Sequence, residues 1–189
     1  MALPLIAFAT VIGTALANEN AKKYYRELDS RRSLDDHDLD FARTVKMPSS
    51  YCNGNYSNEP AMGSVVCCEV FNAFDHTGVW IDRDTIIEFS NSGLVKAVSA
   101  ERFLKQRSGN HIYVANDKKG QSIQFEGLAD RAVRRVFTYN EYDLAENNCH
   151  NFVYQCITNS DDKITLFSSL TKAISNLSGS QVYWDKVKV

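Results

Sequence analysis

The chain has 189 residues, 44% of them apolar and 11% aromatic, enough to fill the core of one domain. A formal net charge of −2, with acidic and basic residues interspersed, excludes a nucleic-acid-binding surface built on a basic run. Five cysteines, two of them adjacent (Cys67-Cys68) and none in a C-x-x-C pair, exclude a regular disulfide framework and a structural zinc site.

The first segment, Ala2 to Ala17, is apolar and almost uncharged. Three readings fit it: a helix contacting a membrane surface, a helix docked on the protein's own core, and a cleaved signal ending at Ala15-Leu16-Ala17. The absence of Lys or Arg before the run disfavours export, and the run is short for a bilayer-spanning helix, which needs roughly 20 apolar residues. A cytoplasmic or membrane-associated location is therefore expected, with free thiols. Asn18 to Met47 follows as a charged helical arm in which Tyr24, Tyr25 and Leu28 make a narrow stripe. Ser49 to Gly63, rich in Ser, Asn, Gly and Pro, is expected to be a loop. Residues 1–61 thus form an appendage, and 62–189 the domain proper.

From Ser64 onward, short β-branched runs alternate with turn residues: Ser64–Phe71, Thr77–Ile81, Thr85–Phe89 and Leu94–Val98. This predicts an antiparallel meander. Ser99 is placed to cap a short helix over Ala100–Leu104, and His111–Ala115 reads as another strand. Leu128, Ala132, Val133 and Val136 recur at helical spacing, with arginines opposite. Asn147-Asn148 is expected to cap a helix from Cys149 to about Ile157, and Asp161-Asp162 a second through Leu177. Gln181–Val187 is expected to be an edge strand. Strands first and helices after predict an α+β domain, an antiparallel sheet packed on helices.

Cys149 stands out because it falls in the first turn of its predicted helix. Unpaired N–H groups and the helix dipole there favour a thiolate and can also stabilise an oxyanion. The bland alternative, a buried structural cysteine, suits Cys156 better. A thiolate nucleophile needs a base, and four histidines compete. His150 is the next residue on the helix, where side chains diverge by about 100°. His37 lies in the charged arm, and nothing distinctive surrounds His111. His76 stands at the head of the strand Thr77–Ile81, where a side chain projects from rigid scaffold; against it is a structural, hydrogen-bonded histidine. For orienting the imidazole, a hairpin centred on Asp82 sets Glu88 opposite His76. The rival reading of Glu88 is an exposed carboxylate, while Asp75, Asp82 and Asp84 are explained by turns and strand ends.

Taken in order, Gly63-Ser64-Val65-Val66, His76-x-Gly78-Val79-x-Ile81 and Asn148-Cys149-His150-Asn151-Phe152-Val153 resemble the lecithin:retinol acyltransferase-like branch of the NlpC/P60 superfamily, over residues 62–158. The resemblance implies a permuted papain-like fold, with Cys149 as nucleophile, His76 as base, Glu88 as orienting residue, and no cofactor or metal. Two departures stand: the acyltransferases have a histidine where this chain has Glu88, and their N-C-E-H-F motif reads Asn-Cys-His-Asn-Phe here. The expected activity is hydrolysis or acyl transfer through a thioester, on lipid acyl esters, with residues 2–17 touching a membrane surface. The enzymatic alternative is an NlpC/P60-type peptidase or amidase acting on cell-wall peptides or protein amides, in a toxin-like role. A catalytically inactive binding module is the non-enzymatic one.

Overall fold

The computed structural model describes residues 56–57, 60–70, 74–105, 107 and 109–188. The apolar run, the charged arm with His37, and Cys52 lie outside the described residues.

The architecture is α+β. Among the described residues, seven strands form one sheet: β1 (Tyr56–Ser57), β2 (Val65–Val70), β3 (Phe74–Asp82), β4 (Thr85–Phe89), β5 (Val95–Val98), β6 (Tyr113–Asn116) and β7 (Tyr183–Val187), in the order β1-β7-β6-β2-β3-β4-β5. Every pairing is antiparallel except the two-residue β1–β7 contact. The expected meander is β2 to β5. β7 is not an edge strand, because it lies between β6 and β1.

Alternation along the strands sends side chains to two cores. On one face Val65, Cys67, Val79, Ile87 and Phe89 meet three helices: α2 (Leu128–Arg134), α3 (Cys149–Thr158) and α4 (Phe167–Ser178). On the other face Val66, Cys68, Trp80 and Ile86 meet α1 (Ala100–Leu104) through Ala100 and Phe103. Both faces of β4 are therefore covered, which is why its run Ile86–Phe89 is buried throughout. No described helix is long and apolar enough to cross a membrane.

Helix caps fix where the helices lie. The Ser99 hydroxyl accepts from the Arg102 N–H at 3.2 Å, and Asp84 Oδ1 accepts from the Ala100 N–H at 3.0 Å, so α1 begins where expected. Asn148 caps α3, its side-chain oxygen accepting from the His150 and Asn151 N–H groups at 3.0 and 3.2 Å. Arg131 of α2, expected on a solvated face, instead donates to the Cys156 and Ile157 carbonyls at the C-terminal end of α3.

The second expected helix start, at Asp161-Asp162, is wrong; α4 begins only at Phe167, with Leu166 as an N-cap that makes no side-chain bond. Two asparagines of α3 hold the intervening chain in an extended path: Asn151 Oδ1 accepts from the Ile164 N–H at 3.2 Å, and Asn148 Nδ2 donates to the Thr165 carbonyl at 2.8 Å. Asp162 accepts from Ser160 instead of capping a helix.

Gly78 permits the close approach of α1 to the sheet. A Cβ there would lie 2.7 Å from Ile86 Cγ2, 2.9 Å from the Ile87 carbonyl oxygen and 3.0 Å from Phe103 Cε2. Because one of these atoms is backbone of the neighbouring strand, no rotamer change relieves the clash. Gly78→Ala is expected to destabilise the domain by about 1–3 kcal/mol, read as a lower urea midpoint at unchanged slope.

Candidate active site

The site begins with β3. Its first residues pair with β2 as far as Val70↔Phe74, so the strand starts before His76, and His76 lies inside it, directly across from Cys68. The expectation of a histidine at a strand head is corrected accordingly. The imidazole is buried on the α1 face, its ring centroid 5.1 Å from that of Phe103.

Glu88 does reach His76, but not by the register expected. Val79↔Ile87 and Trp80↔Ile86 pair, with an irregularity between Trp80 and Asp82, so the register continued along β3 sets Glu88 against Gly78 rather than His76. Glu88 and His76 are diagonal neighbours on one face, close enough for a long side chain to bridge. His76 Nε2 lies 2.7 Å from Glu88 Oε2. Asp82 and Asp84 are engaged elsewhere, Asp82 with the Asp84 N–H and Asp84 with α1.

Glu88 is 2% exposed and would be costly to ionise alone. Arg107, which sequence reasoning did not single out, supplies the counter-charge: its Nη2 donates to Glu88 Oε2 at 2.8 Å, and its guanidinium stands 4.9 Å over the Phe103 ring. Lys96 Nζ adds a longer contact of 3.4 Å to the other carboxylate oxygen. Burial pushes the Glu88 pKa up, but the hydrogen bond and charge of His76 and the charge of Arg107 outweigh it and bring the value down to about 2. Glu88 is therefore ionised across the physiological range.

Cys149 is the first residue of α3 and 3% exposed. Burial opposes its ionisation, yet His150 and His76, through charge and side-chain hydrogen bonds, hold its pKa well below the ordinary 9.0. His76 shows the complementary shift: burial and Arg107 work against its charged form, while Cys149 and Glu88 raise its pKa above 6.5. Cys156 and Cys68 behave as inert thiols, with burial pushing them up to about 11 and about 12.

Two further groups reach the sulfur. The Tyr142 hydroxyl, on the loop before α3, donates toward Cys149 Sγ at 3.8 Å, and its ring packs 5.1 Å from Phe89. Burial and the Cys149 thiolate raise its pKa, so it stays a donor. His150 is the other group, and its dismissal on helical divergence is overturned: its Nδ1 is 3.9 Å from Sγ. Divergence of Cα–Cβ vectors governs long side chains, whereas Nδ1 is one atom beyond Cγ and reaches back to a neighbour whose sulfur sits on Cβ. His111 precedes β6, and its ring stands edge-on to Tyr113.

The backbone supplies one more donor. Asn148 accepts from the His150 and Asn151 amides through its side chain and from the Phe152 amide through its carbonyl. The Cys149 N–H is not among the amides that Asn148 engages; it donates instead to the Tyr142 hydroxyl oxygen, at the mouth of the helix beside the sulfur. Among those residues, no group of three or more His, Cys, Asp or Glu side chains is arranged to hold a metal ion.

No protein-family model matches this chain, and no curated protein matches it.

The buried carboxylate makes stability depend on pH. A carboxyl whose folded pKa is depressed contributes stability above its unfolded value, here 4.5, and loses it as pH falls through about 2. Glu88→Gln is expected to destabilise the protein by about 1–3 kcal/mol at pH 7, because the partly buried Arg107 loses its counter-charge. The gap to wild type should close between pH 4.5 and pH 2 in denaturant titrations, and a gap constant with pH would contradict the ionised assignment.

Proposed function

We propose that this chain is a cysteine-dependent acyl-transfer enzyme, working through a thioester on Cys149. The single observation that carries the reading is the buried contact of 2.7 Å between His76 Nε2 and the ionised Glu88, within an imidazole–sulfur pair that favours charge separation. A merely structural histidine has no need of a carboxylate held ionised by its own partly buried arginine.

Glu88 accepts the Nε2–H, which leaves Nδ1 of His76 as the proton-exchanging atom. His76 takes the Sγ proton, giving thiolate and imidazolium. The thiolate attacks the substrate carbonyl carbon, a C–S bond forms, and the carbonyl oxygen becomes an oxyanion near the Cys149 N–H and the Tyr142 hydroxyl. Collapse of this intermediate breaks the bond to the leaving group, which takes the proton from His76. Water or a second acceptor then loses a proton to His76, attacks the thioester and releases Cys149 as it started.

The order of His76, Glu88 and Cys149 along the chain, and the motifs around them, support a permuted papain-like domain of the lecithin:retinol acyltransferase-like type. Lipid acyl esters are the substrate class this resemblance favours, taken from a membrane surface. The chemistry itself is indifferent to whether the carbonyl is an ester or an amide.

Incubation with p-nitrophenyl acyl esters should release nitrophenolate and leave one acyl group on Cys149 by intact mass. Cys149→Ala should keep the far-UV circular dichroism of the wild type and lose both signals; an undiminished burst in that variant would refute the nucleophile. Phospholipid vesicles and muropeptides offered to the same assay separate the lipid reading from the peptide one.

The pH profile follows from the two shifts. Thiolate forms as pH rises through the lowered value of Cys149, and imidazolium is lost as pH rises through the raised value of His76. A bell-shaped kcat/KM is expected, with its alkaline limb above 6.5. Glu88→Gln should lower kcat/KM by about 10²-fold or more in the same assay.

A further inference from the structure

His150 is left over by the mechanism above, in which a single imidazole serves both proton transfers. It is nonetheless buried at the nucleophile and held there from two sides. Thr77 Oγ1, fully buried on β3, lies 3.1 Å from His150 Nδ1, and the Phe167 ring of α4 packs 5.7 Å from the imidazole. That same Nδ1 is the atom 3.9 Å from Cys149 Sγ. Adjacent residues of β3, His76 and Thr77, thus address adjacent residues of α3, Cys149 and His150. A ring with its proton on Nδ1, neutral or imidazolium, has one N–H there, shared between the nearer Thr77 oxygen at 3.1 Å and the sulfur at 3.9 Å, so the sulfur receives the longer branch of a forked hydrogen bond.

We propose that His150 is a second imidazole of the catalytic site, whose Nδ1–H, together with the Tyr142 hydroxyl, holds the Cys149 sulfur as a thiolate even when His76 has given up its proton. The proposal rests on the acyl-transfer reading only for the word catalytic, since the contact with the sulfur exists in the resting protein. Its consequence is a division of labour. With one imidazole, the nucleophile is ionised only while that ring is protonated, and a protonated ring cannot act as base. With His150 and Tyr142 as standing donors, His76 can be neutral and ready to deprotonate the incoming acceptor without the leaving thiolate becoming a poor leaving group.

Electrostatics agree with this placement. The charge of His150 is, after burial, the first influence on Cys149 and acts ahead of His76. The other titratable or charged groups around the sulfur are His76 on β3, Cys68 on β2, Tyr142 before α3, and Glu88 and Arg107 behind the imidazole. Of these, Cys68 is a neutral thiol, and Glu88 and Arg107 are already paired with each other.

The test is the rate of iodoacetamide alkylation at Cys149 against pH, followed by peptide mass mapping on the full chain, and it needs no turnover. In His76→Ala the alkylation midpoint should stay below the ordinary thiol value of 9.0, while nitrophenyl ester turnover is lost. In His150→Ala the midpoint should rise, slowing alkylation at pH 6 by about tenfold for each unit of rise. His150→Asn, which returns an N–H donor near the position of Nδ1 without a charge, should recover part of that loss. If the alanine variant does not fold, as judged by its melting transition, the upward shift of the asparagine variant against wild type decides. The double variant His76→Ala/His150→Ala should titrate higher than either single variant.

The proposal is overturned if His150 variants titrate as wild type, or if His76→Ala alone moves the midpoint all the way to the ordinary value. Wild-type acylation with unshifted His150 variants would preserve the enzyme reading and sink this one. The opposite result, a His150-dependent thiolate without acylation of any ester, would do the reverse.

Discussion

A carboxylate shut away from water must be compensated by its neighbours, and the arrangement around Glu88 follows from that requirement. Its Oε2 receives both the His76 ring and the Arg107 guanidinium, at 2.7 and 2.8 Å, while Lys96 approaches the other oxygen from the more open side. Remove the charge and His76 loses both its orientation and much of its proton affinity, and the partly buried Arg107 loses its counter-charge. The same pair fixes which ring nitrogen of His76 is free, so the direction of proton transfer is set by a contact lying behind the reacting atoms.

Delivering that carboxylate depends on the sheet. The β3–β4 register places Glu88 two residues out of step with His76, and a side chain at the intervening Gly78 would strike the Ile87 carbonyl and the Phe103 ring that packs on His76. α1 closes this face, with Phe103 against the His76 ring on one side and the Arg107 guanidinium on the other.

The nucleophile is held from the opposite end by α3. Asn148 absorbs two of the first-turn amides and, with Asn151, draws the chain between residues 160 and 166 across the start of the helix. Arg131 secures the far end. A helix tied at both termini presents its first residue at a fixed place, which a nucleophile requires.

Much of this is legible in the residues themselves. Helix caps and strand periodicities are local, so the starts of α1 and α3 and the meander β2–β5 follow from short windows of sequence, and with them the position of Cys149 on a helix N-terminus. His76 and Glu88 can be singled out because polar side chains inside apolar strand runs need a reason to be there. Long-range contacts are another matter, because they exist only once the chain has packed. The irregular β3–β4 turn changed the register that joins Glu88 to His76. Arg107 entered as a counter-charge from a stretch with no distinctive pattern. The bonds from Asn148 and Asn151 suppressed a helix that Asp161-Asp162 would start, and folding turned Nδ1 of His150 back onto its neighbour's sulfur. Each of these is a contact between side chains or strands whose approach depends on packing elsewhere, and no window of sequence contains the distance between them.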